Sequence, residues 1–542
     1  MNHSNRKGTK MKKTISLVLV LALVSLAQAA TITVGRGRNG GYDFIDIQAG
    51  IDAAIDGDTV LVAPGEYIIT VPITFRGKAI TVKSEAGPDE TTIRMGTPTD
   101  TNRGSVVAFE NGETAESVLD GFTITGGSGT WLQDSLRGGG IFFDGASATI
   151  NNCAIVQNSA RRAGGILCDQ SSSPRLTNCI IAKNSSISSG GGLSVYSGSS
   201  MSLNNCIIRE NLSAGSIGGG GVCWGSCLMT LTDCTITGNS ATNGGGIYCG
   251  SNSCTTMTNC TIRSNSAIGS TPHVSGYGGG VQSWDNSSVN LTNCTIANNT
   301  AGLGGGAMFY EDSSITVTNC VMFGNRAIGG YGGAIESVSS STTLVNCTIT
   351  RNSAGEPGGG MMCWQGSTVI TNSIFCANIA PQGHDISVGD GGTLSLSYSN
   401  VAGGQTDAHV DSGCTLNWGE GNIDADPYFV DPTNDDFHLK SQAGRWDSIS
   451  QVWIQDNVTS PCIDAGDPMG PIGWEPFPNG GFVNMGAYGG THEASKTYFG
   501  EPVCETIVAG DINGDCKVDR ADLEIMALHW TDNEPLPLPQ GL

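Results

Sequence analysis

The chain of 542 residues lacks any uninterrupted apolar run of the eighteen or more residues that a membrane-spanning helix needs. Its one long apolar run, from Ile15 to Leu26, is shorter, follows Lys12 and Lys13, and precedes the small-residue site Ala27-Gln28-Ala29. These features predict a signal peptide over residues 1–29. We therefore expect a protein that is secreted or displayed at the cell surface, with no membrane span.

Basic residues are scarce, because 26 Lys and Arg stand against 49 Asp and Glu, which makes the net charge -23 at pH 7. A chain this acidic repels nucleic acid and anionic membrane surfaces. The seven histidines are scattered, and the sequence contains no zinc-type His pair, no nucleophile elbow and no phosphate-binding loop. These absences disfavour zinc hydrolases, serine hydrolases and nucleotide-dependent enzymes.

Charged residues make up only 14% of the chain, whereas glycine is abundant, at 79 residues. Scattered glycine would indicate disorder, but here glycine recurs at fixed intervals beside Ile, Leu and Val. Such regularity is typical of a repeat architecture.

One pattern recurs from residue 153 onward: Cys, Ile two residues later, Asn five residues later, and then a run of glycines before the next short strand. Most copies are 26 to 28 residues apart. The longest spacing, from Cys260 to Cys294, predicts a projecting loop near residues 269–276. The cysteines of the repeat are Cys153, Cys179, Cys206, Cys234, Cys260, Cys294, Cys320 and Cys347, with Ser373 in the ninth copy. The asparagines are Asn158, Asn184, Asn211, Asn239, Asn265, Asn299, Asn325, Asn352 and Asn378.

A period near 26 residues is too short for a propeller blade, and the repeat has no helical periodicity. It suits one coil of a β-solenoid in which equal positions stack at the usual strand spacing of about 4.8 Å. We expect a right-handed coil, because parallel strands joined by crossovers almost always turn that way. The predicted fold is all-β: a right-handed parallel β-helix over residues 30–440.

The stacked positions make two ladders. The asparagines are expected to occupy left-handed turns and to hydrogen-bond from coil to coil. The ladder cysteines are expected to be small buried side chains with free thiols, because a separation near 4.8 Å is wider than a disulfide prefers. Outside the ladder, Cys223 with Cys227 and Cys249 with Cys254 are candidates for local disulfides, although the sequence does not assign their connectivity.

A short amphipathic helix at Ile47–Ala54, followed by the strand Gly57–Val62 and the turn Ala63–Tyr67, resembles the N-terminal cap of the pectate-lyase-like right-handed β-helix superfamily. The glycine-rich coils are similar to the repeats of bacterial polymorphic surface proteins. The resemblance covers roughly residues 30–440. It implies the fold and leaves function open, because the superfamily contains lyases, hydrolases, adhesins and inert rods.

Residues 422–492, with their Asp426–Phe429, Pro461–Gly466 and Asn484–Tyr488 motifs, resemble the closing segment of exported bacterial β-helix proteins, and we assign the closing segment to residues 441–500. We expect it to cover the open end of the solenoid, which would otherwise present unpaired backbone.

Residues 501–542 are predicted to form a small α-helical, EF-hand-like calcium module with a proline-rich tail. Oxygen ligands at the spacing found here wrap a hard cation such as calcium. The loop resembles one half of a type I dockerin. The ligands that the resemblance implies are Asp511, Asn513, Asp515, the Lys517 carbonyl, Asp519 and Asp522.

The calcium loop departs from the dockerin pattern in two ways. Cys516 stands where such loops usually have Gly, and one copy is present where full dockerins have two. Cys504 is expected to form a disulfide with Cys516. A cohesin-like or cell-surface partner, or simple calcium-stabilised packing, are the alternatives for this module.

The strand after each glycine run should place its fourth residue on the outer face, because the first and third are small or apolar and point inward. Exposed aromatic rings on a flat sheet are stacking surfaces for sugar rings. Tyr196, Trp224, Trp284, Tyr310 and Trp364 are therefore the candidate substrate-binding residues. The alternative is that another segment covers this row.

Asp144 and Asp169 belong to the same row, one coil apart. Such a pair holds calcium, acts as acid and base on a glycosidic bond, or is merely surface charge. A lyase also needs a base, and Lys183 is the candidate, with Arg161 and Arg162 in the same basic cluster. Two hypotheses follow for the whole protein: a secreted protein that binds or processes polysaccharide, by lyase or hydrolase chemistry if it is an enzyme, or a non-catalytic adhesin or structural rod.

Overall fold

The computed structural model describes residues 29–36, 41–269, 276–499, 518–520 and 522–523. The predicted signal peptide, most of the projecting loop and most of the calcium module lie outside these residues. Within them, the predicted all-β solenoid is confirmed, because strands at equal positions of successive coils pair in parallel and form four sheets along one axis. The exception is Gly129–Leu132, which pairs antiparallel with Arg103–Gly104 and with Ser135–Arg137.

We number the four sheets in the order in which the chain passes through them. One coil runs through Arg175–Thr177 in the first sheet, Ile180–Ala182 in the second, Ser185–Ser189 in the third and Leu193–Val195 in the fourth. The coil then turns and re-enters the first sheet at Ser200–Asn204. Each residue therefore pairs with its equivalent one coil later, as in the predicted ladders.

The first two sheets form two sides of the coil. The fifteen strands of the first sheet are Thr31–Val34, Thr59–Val62, Thr81–Ser84, Val118–Asp120, Thr149–Asn151, Arg175–Thr177, Ser200–Asn204, Leu228–Thr232, Cys254–Thr258, Ser288–Thr292, Ser314–Thr318, Ser341–Val345, Ser367–Thr371, Thr393–Ser397 and Thr415–Trp418. The thirteen strands of the second sheet are Gly65–Ile69, Thr91–Met95, Thr123–Thr125, Ala154–Val156, Ile180–Ala182, Ile207–Arg209, Thr235–Thr237, Thr261–Arg263, Thr295–Ala297, Val321–Phe323, Thr348–Thr350, Ile374–Cys376 and Asn400–Val401.

The other two sheets complete the coil. The eleven short strands of the third sheet are Arg103–Gly104, Gly129–Leu132, Ser135–Arg137, Ser159–Arg162, Ser185–Ser189, Leu212–Ser213, Ser240–Ala241, Ser266–Ala267, Thr300–Ala301, Arg326–Ala327 and Ser353–Ala354. The thirteen strands of the fourth sheet are Ile73–Thr74, Val107–Phe109, Ile141–Asp144, Ile166–Asp169, Leu193–Val195, Gly221–Trp224, Ile247–Gly250, Val281–Trp284, Met308–Glu311, Ile335–Val338, Met361–Trp364, Ile386–Gly389 and His409–Val410.

Helices are short in the described residues. The predicted N-terminal helix is confirmed as Ile47–Ala53. Asp46 caps its N-terminus, because the Asp46 side chain accepts a hydrogen bond from the Ala49 N–H. The helix buries Ile47 and Ile51 in the solenoid core. A second helix spans Gly404–Asp407, and a 3-10 turn spans Pro432–Asn434.

The coil-to-coil asparagine ladder is confirmed, but not the conformation expected for it. Asn265 donates from Nδ2 to Asn299 Oδ1 at 3.0 Å and to the Ile236 carbonyl at 2.9 Å, and its own Oδ1 accepts from Asn239. The left-handed residue is the one before it, Ser264, at φ 55°. Left-handed residues occupy a different corner, just before each ladder cysteine. They are asparagines except for Asp233, and Asn259 is one of them, at φ 54°.

Each glycine run forms the turn between the third and fourth sheets, where the backbones of neighbouring coils lie very close together. Gly244 has φ +59°, a left-handed conformation that favours glycine. A Cβ on the next residue, Gly245, would lie 2.5 Å from the Gly279 carbonyl oxygen of the following coil. These runs therefore consist of glycine because neighbouring coils leave no space for side chains.

Every cysteine that the structure describes is free, and the ladder cysteines are buried. The prediction for the ladder is confirmed. The prediction of local disulfides at Cys223, Cys227, Cys249 and Cys254 is wrong: Cys223 and Cys249 instead pair in register one coil apart on inward-facing positions of the fourth sheet. Cys504 and Cys516 lie outside the described residues.

We expect thiol titration to distinguish these states. Protein unfolded in guanidinium without reductant should release the same number of thiols as a reduced sample, apart from the pair Cys504 and Cys516. A deficit of four further thiols that disappears on reduction would contradict the free state of the four cysteines outside the ladder. Substitution of both Cys504 and Cys516 by Ser is the control that removes the undescribed pair from the count.

The C-terminal segment, which comprises residues 422–499, also departs from the sequence prediction. It does not lie across the end of the solenoid; its apolar residues pack on the outer face of the second sheet, where Phe437 and Met485 contact Phe323 and Ile374. Asn346 Nδ2 donates to the Asn484 carbonyl at 3.0 Å. The segment contains two antiparallel strand pairs, Phe429–Asp431 with Asp436–Leu439 and Arg445–Asp447 with Val452–Ile454. It therefore closes one side of the coil.

Candidate functional site

The outer face of the fourth sheet brings two rows of side chains together. The first and third residues of each strand enter the core, and the second and fourth face outward. In the six coils from Gly221–Trp224 to Met361–Trp364, the second-position row is Val222, Tyr248, Gln282, Phe309, Glu336 and Met362, as the strand register shows. The fourth-position row is Trp224, Gly250, Trp284, Glu311, Val338 and Trp364. We call these two rows the aromatic face.

Two tryptophans lie side by side on the aromatic face. Trp224 and Trp284 are two coils apart, and their ring centroids are 6.3 Å from each other. Gly250 lies between them in the row, and a Cβ there would come within 2.8 Å of the Trp224 ring. Trp224 also stacks with Tyr248 at 6.0 Å, and Trp284 is 39% exposed. Glycine at position 250 therefore leaves the space into which the tryptophan rings extend.

A buried carboxyl group lies further along the same face. Glu336 is 7% exposed, and its Oε2 has no hydrogen-bond partner among the described residues. Burial, and next the charge of Glu311, raise the pKa of Glu336 to about 8 from its ordinary value of 4.5. The pKa of Glu311 is also raised, by burial and then by Asp312. At neutral pH Glu336 is therefore a carboxylic acid that can donate a proton.

Two tyrosines from the turns before the fourth sheet, Tyr277 and Tyr331, lie beside the glutamates. Tyr277 packs on Phe309 with ring centroids 4.4 Å apart, and Tyr331 packs on Trp364 at 5.2 Å. Burial raises the pKa of Tyr277 first, and the charges of Glu336 and Glu311 raise it further. The second-position row is buried, with Tyr248 4%, Phe309 5% and Glu336 7% exposed, so the fourth-position tryptophans supply the exposed rings of the aromatic face.

Comparison with known proteins identifies the family. A family model described as "Right handed beta helix region" matches residues 73–221 and 211–375, which together exceed half of the chain. The chain belongs to this right-handed β-helix family. Its handedness is therefore the one predicted from the sequence. A second family model, "Disaggregatase related", matches residues 345–466.

Several solved structures are similar to this chain at low sequence identity. Pectate lyase Pel9A has 14% identity and a TM-score of 0.42 over 85% of this chain and 96% of its own. The catalytic unit of a GH87 α-1,3-glucanase from Streptomyces thermodiastaticus strain HF3-3 has 14% identity and a TM-score of 0.39, covering 74% and 69%. A polygalacturonase from Erwinia carotovora ssp. carotovora has 9% identity and a TM-score of 0.28, covering 76% and 99%. No curated protein shows significant similarity to the chain.

The five predicted aromatic residues are not all on one accessible strip. Trp224, Trp284 and Trp364 lie on the outer face as expected, and the Trp364 Nε1 donates to Asp390 at 3.2 Å. Tyr196 is partly buried, with its hydroxyl 2.7 Å from Ser189 Oγ. Tyr310 is completely buried in the core, which corrects its predicted outward orientation.

The error at Tyr310 has a simple origin. In this β-helix coil the third position of the glycine run is Ala307, so the strand Met308–Glu311 begins one residue later than the glycines indicate. Tyr310 pairs with Ser283 and Ser337 at the inward third position, and Glu311 takes the outward fourth. A shift of one residue moves a strand side chain to the opposite face of its sheet.

The predicted catalytic residues Asp144 and Asp169 are neighbours in the fourth sheet. Asp144 and Asp169 are aligned one coil apart, and burial, followed by the charge of Asp169, raises the pKa of Asp144. Asp169, however, is fully buried and ion-paired with the equally enclosed Arg137, at 3.2 Å. A carboxylate engaged in this way has an evident structural role, because an unpaired charge there would be costly.

Lys183 does not lie beside Asp144 and Asp169. It lies at the corner between the second and third sheets, whereas the two aspartates end strands of the fourth sheet. Its ammonium is exposed and 3.6 Å from Glu210 of the next coil. A base supplied by Lys183 to Asp144 and Asp169 is therefore not supported by the fold.

Four of the six predicted metal ligands lie outside the described residues. Asp511, Asn513, Asp515 and Lys517 lie there, whereas Asp522 accepts a 2.7 Å hydrogen bond from the Asp519 backbone N–H. Over the described ranges, the structure contains no cluster of three His, Cys, Asp or Glu arranged for a metal. In those same ranges no helix is long and apolar enough to cross a membrane.

Sequence reasoning missed Glu311, Glu336 and Tyr277. Glu311 was hidden by the shifted glycine run, and Glu336 stands at a second position that was not considered as outward. The available signal was the register itself: a charged residue in the motif Ala334-Ile335-Glu336 occupies a place where other coils have Phe142 or Leu167.

Proposed function

We propose that this β-helix is a secreted polysaccharide-binding protein whose aromatic face holds a neutral glycan along the solenoid axis. The observation that supports this most directly is the pairing of Trp224 and Trp284 over Gly250, with Trp284 39% exposed. Aromatic rings held at a fixed spacing present apolar surfaces that suit the apolar faces of sugar rings. The coils repeat at about 4.8 Å, so the face is elongated, as a polymer ligand requires.

The charge of the aromatic face favours a neutral polysaccharide over a polyuronate. Its two rows contain Glu311 and Glu336 but no Lys or Arg, and the chain as a whole has a net charge of -23. Although Glu336 is uncharged at neutral pH, an acidic chain surface without a basic residue on this face repels an anionic ligand. The pectate-type substrates suggested by the family resemblance are therefore not part of this proposal.

The calcium module remains part of the proposal on sequence grounds. Asp511, Asn513, Asp515, the Lys517 carbonyl, Asp519 and Asp522 would supply oxygen ligands to one calcium ion and stabilise the C-terminal loop. Attachment to a cohesin-like or cell-surface partner through this module would place the glycan-binding face near its substrate.

The binding proposal is tested by removing the paired tryptophans. The Trp224→Ala, Trp284→Ala double variant should bind arabinoxylan, glucomannan or mixed-linkage β-glucan at least tenfold more weakly than wild type, which corresponds to about 1.4 kcal/mol. Affinity gel electrophoresis and isothermal titration calorimetry measure the change. Trp474→Ala is the control, because Trp474 is 78% exposed and belongs to the C-terminal segment.

The possible results separate the two hypotheses for this protein. Unchanged affinity of a folded double variant would refute the tryptophan pair as the binding surface. Failure of the wild-type protein to bind any of the three polysaccharides would refute polysaccharide binding and favour a structural rod.

A further inference from the structure

One hairpin, residues 129–137, interrupts the regular coils of the solenoid. Its strands, Gly129–Leu132 and Ser135–Arg137, pair antiparallel with each other around a two-residue turn. Alternate residues of such a pair point to opposite sides. Trp131 lies on the side that faces solvent, where it is 53% exposed. The other side of the hairpin is therefore the one that packs on the solenoid.

The inner side of the hairpin packs on the outer face of the fourth sheet. Leu132 contacts a buried cluster that contains Phe142 and Leu167, the second-position residues of two successive strands in this sheet. Tyr196, which follows the third position of the next strand, packs against the same cluster. The hairpin therefore covers the coils that precede Trp224, where the aromatic face begins.

Arg137 fixes the hairpin to the sheet. Its guanidinium donates to Asp169 Oδ2 at 3.2 Å, to Asp134 Oδ1 at 2.8 Å and to Gln133 Oε1 at 3.1 Å. The side chains of Arg137 and Asp169 are 4% and 0% exposed. Separation of a buried ion pair leaves uncompensated charges, so displacement of the hairpin is strongly unfavourable. The hairpin is therefore a fixed part of the structure.

The hairpin occupies the layer in which a glycan on the aromatic face would lie. A layer packed on a sheet stands about 10 Å from it. A sugar ring that rests on tryptophan side chains of the same sheet is at a comparable height, because the tryptophan side chain spans most of that distance. The fourth-position row from Trp364 to Tyr196 contains six coil steps of about 4.8 Å, or roughly 29 Å, before the hairpin is reached. A polymer that follows the tryptophans towards the N-terminus of the solenoid would therefore meet the hairpin.

Polar side chains stand between the hairpin and the first tryptophan. Arg162 follows Arg137 in register in the third sheet, is 31% exposed, and lies 3.6 Å from Asp134 Oδ2. The Asp134 side chain is 59% exposed, and the Tyr196 hydroxyl is 2.7 Å from Ser189 Oγ. Charged and hydroxyl groups at this place suit the hydroxyl group that a terminal sugar carries instead of a further linkage.

We propose that the hairpin is the end wall of the aromatic face, and that the protein binds the terminus of a neutral glycan chain rather than its interior. This inference rests on the proposed function, because the tryptophans must hold the glycan before the hairpin can limit it. A chain bound in this way fills the face with its last sugars, and its terminal sugar meets Arg162 and Asp134.

The binding capacity of a polysaccharide for the protein tests the end wall. The probe is whichever of arabinoxylan, glucomannan and mixed-linkage β-glucan wild type binds, prepared at two mean chain lengths that differ twofold. Chains of half the length contain twice as many termini per gram, so wild type should show twice the capacity per gram. Binding to chain interiors would give equal capacities, because both chains are much longer than the face. Isothermal titration calorimetry measures the capacity as a stoichiometry.

A hairpin variant tests the wall directly. Replacement of residues 131–136 by Gly-Gly removes Leu132 and the turn but retains Arg137 and Asp169. This variant should bind at several places along each chain, and its capacity per gram should no longer depend on chain length. Trp131→Ala is the matched control, because it removes an exposed side chain and leaves the wall in place. It should keep the wild-type dependence on chain length.

The wild-type comparison decides the proposal even where the shortened hairpin prevents folding. Equal wild-type capacities at the two chain lengths would overturn the end wall and leave the binding proposal intact. A folded hairpin variant whose capacity still follows the number of termini would also overturn the end wall. Absence of binding to all three polysaccharides by wild type would overturn both proposals.

Discussion

Replacement of Glu336 by Gln is expected to stabilise the protein at pH 7 by about 3 kcal/mol, while its stability near pH 4 changes little. The carboxyl group is buried without a partner for Oε2, and its pKa is raised from 4.5 to about 8. Each pKa unit corresponds to about 1.4 kcal/mol, and pH 7 lies about 2.5 units above the ordinary value. Gln has a similar shape and carries no charge at any pH.

The sign of this effect follows from proton binding. Between pH 4.5 and about 8 the folded protein keeps the Glu336 proton, whereas the unfolded chain has released it. Unfolding therefore releases a proton, and the wild-type protein loses stability as the pH rises through this window. Below pH 4.5 Glu336 is protonated in both the folded and the unfolded protein. Its burial then causes no loss of stability through ionisation.

Denaturant unfolding of wild type and variant at pH 4 and pH 7 measures the difference. Subtracting the unfolding free energy of wild type from that of the variant cancels the contributions of the other buried carboxyl groups. Asp385, whose pKa is raised to about 6, is one of these groups. Glu116→Gln, at an exposed position, is the control and should give the same small change at both pH values. A Glu336→Gln variant that is no more stable than wild type at pH 7 would show that burial does not penalise this carboxyl group.

Replacement of Asn265 by Ala is expected to destabilise the protein by about 3–5 kcal/mol. The substitution removes two hydrogen bonds donated by Nδ2 and two accepted by Oδ1, all within the buried ladder. The Asn239 backbone N–H would then remain buried without an acceptor, and the Ile236 carbonyl would lose the hydrogen bond from Nδ2. Because each rung polarises its neighbours, the loss should exceed that of one average hydrogen bond.

Denaturant unfolding with circular dichroism measures this loss. Asn259→Gly is the matched control, because Asn259 is exposed, has φ 54° and donates to Asp233 Oδ1 at 3.1 Å. Glycine accepts the left-handed conformation, so this variant should change stability by no more than about 1 kcal/mol. Equal effects of the two substitutions would contradict a dominant contribution from the buried ladder.

Much of the fold was predictable because a solenoid repeats its local rules. The spacing of Cys179, Cys206 and Cys234 predicted the coil, and the asparagine five residues later predicted a stacked ladder. In a repeat fold each coil contacts mainly its neighbours, so sequence periodicity maps directly onto spatial neighbours. The N-terminal helix was predictable for a similar reason, since its apolar positions are local.

The candidate site was only partly predictable. Trp224 and Trp284 followed from counting beyond the glycines, but the same count misplaced Tyr310, because Ala307 occupies the last position of its glycine run. A strand alternates its faces with a period of two, so an error of one residue exchanges core and surface. The close approach of the Glu336 carboxyl group to Gly304 of the preceding coil is not indicated by any local pattern.

The sequence by itself determined the coil length, the parallel stacking and the two ladders, because these depend on periodicity and on side-chain size and polarity. Only the tertiary structure decided which cysteines remain apart, which side of the coil the C-terminal segment covers, and which carboxyl groups share the aromatic face. Those features depend on register and on burial between residues that are distant in sequence, where a shift of one position reverses the outcome.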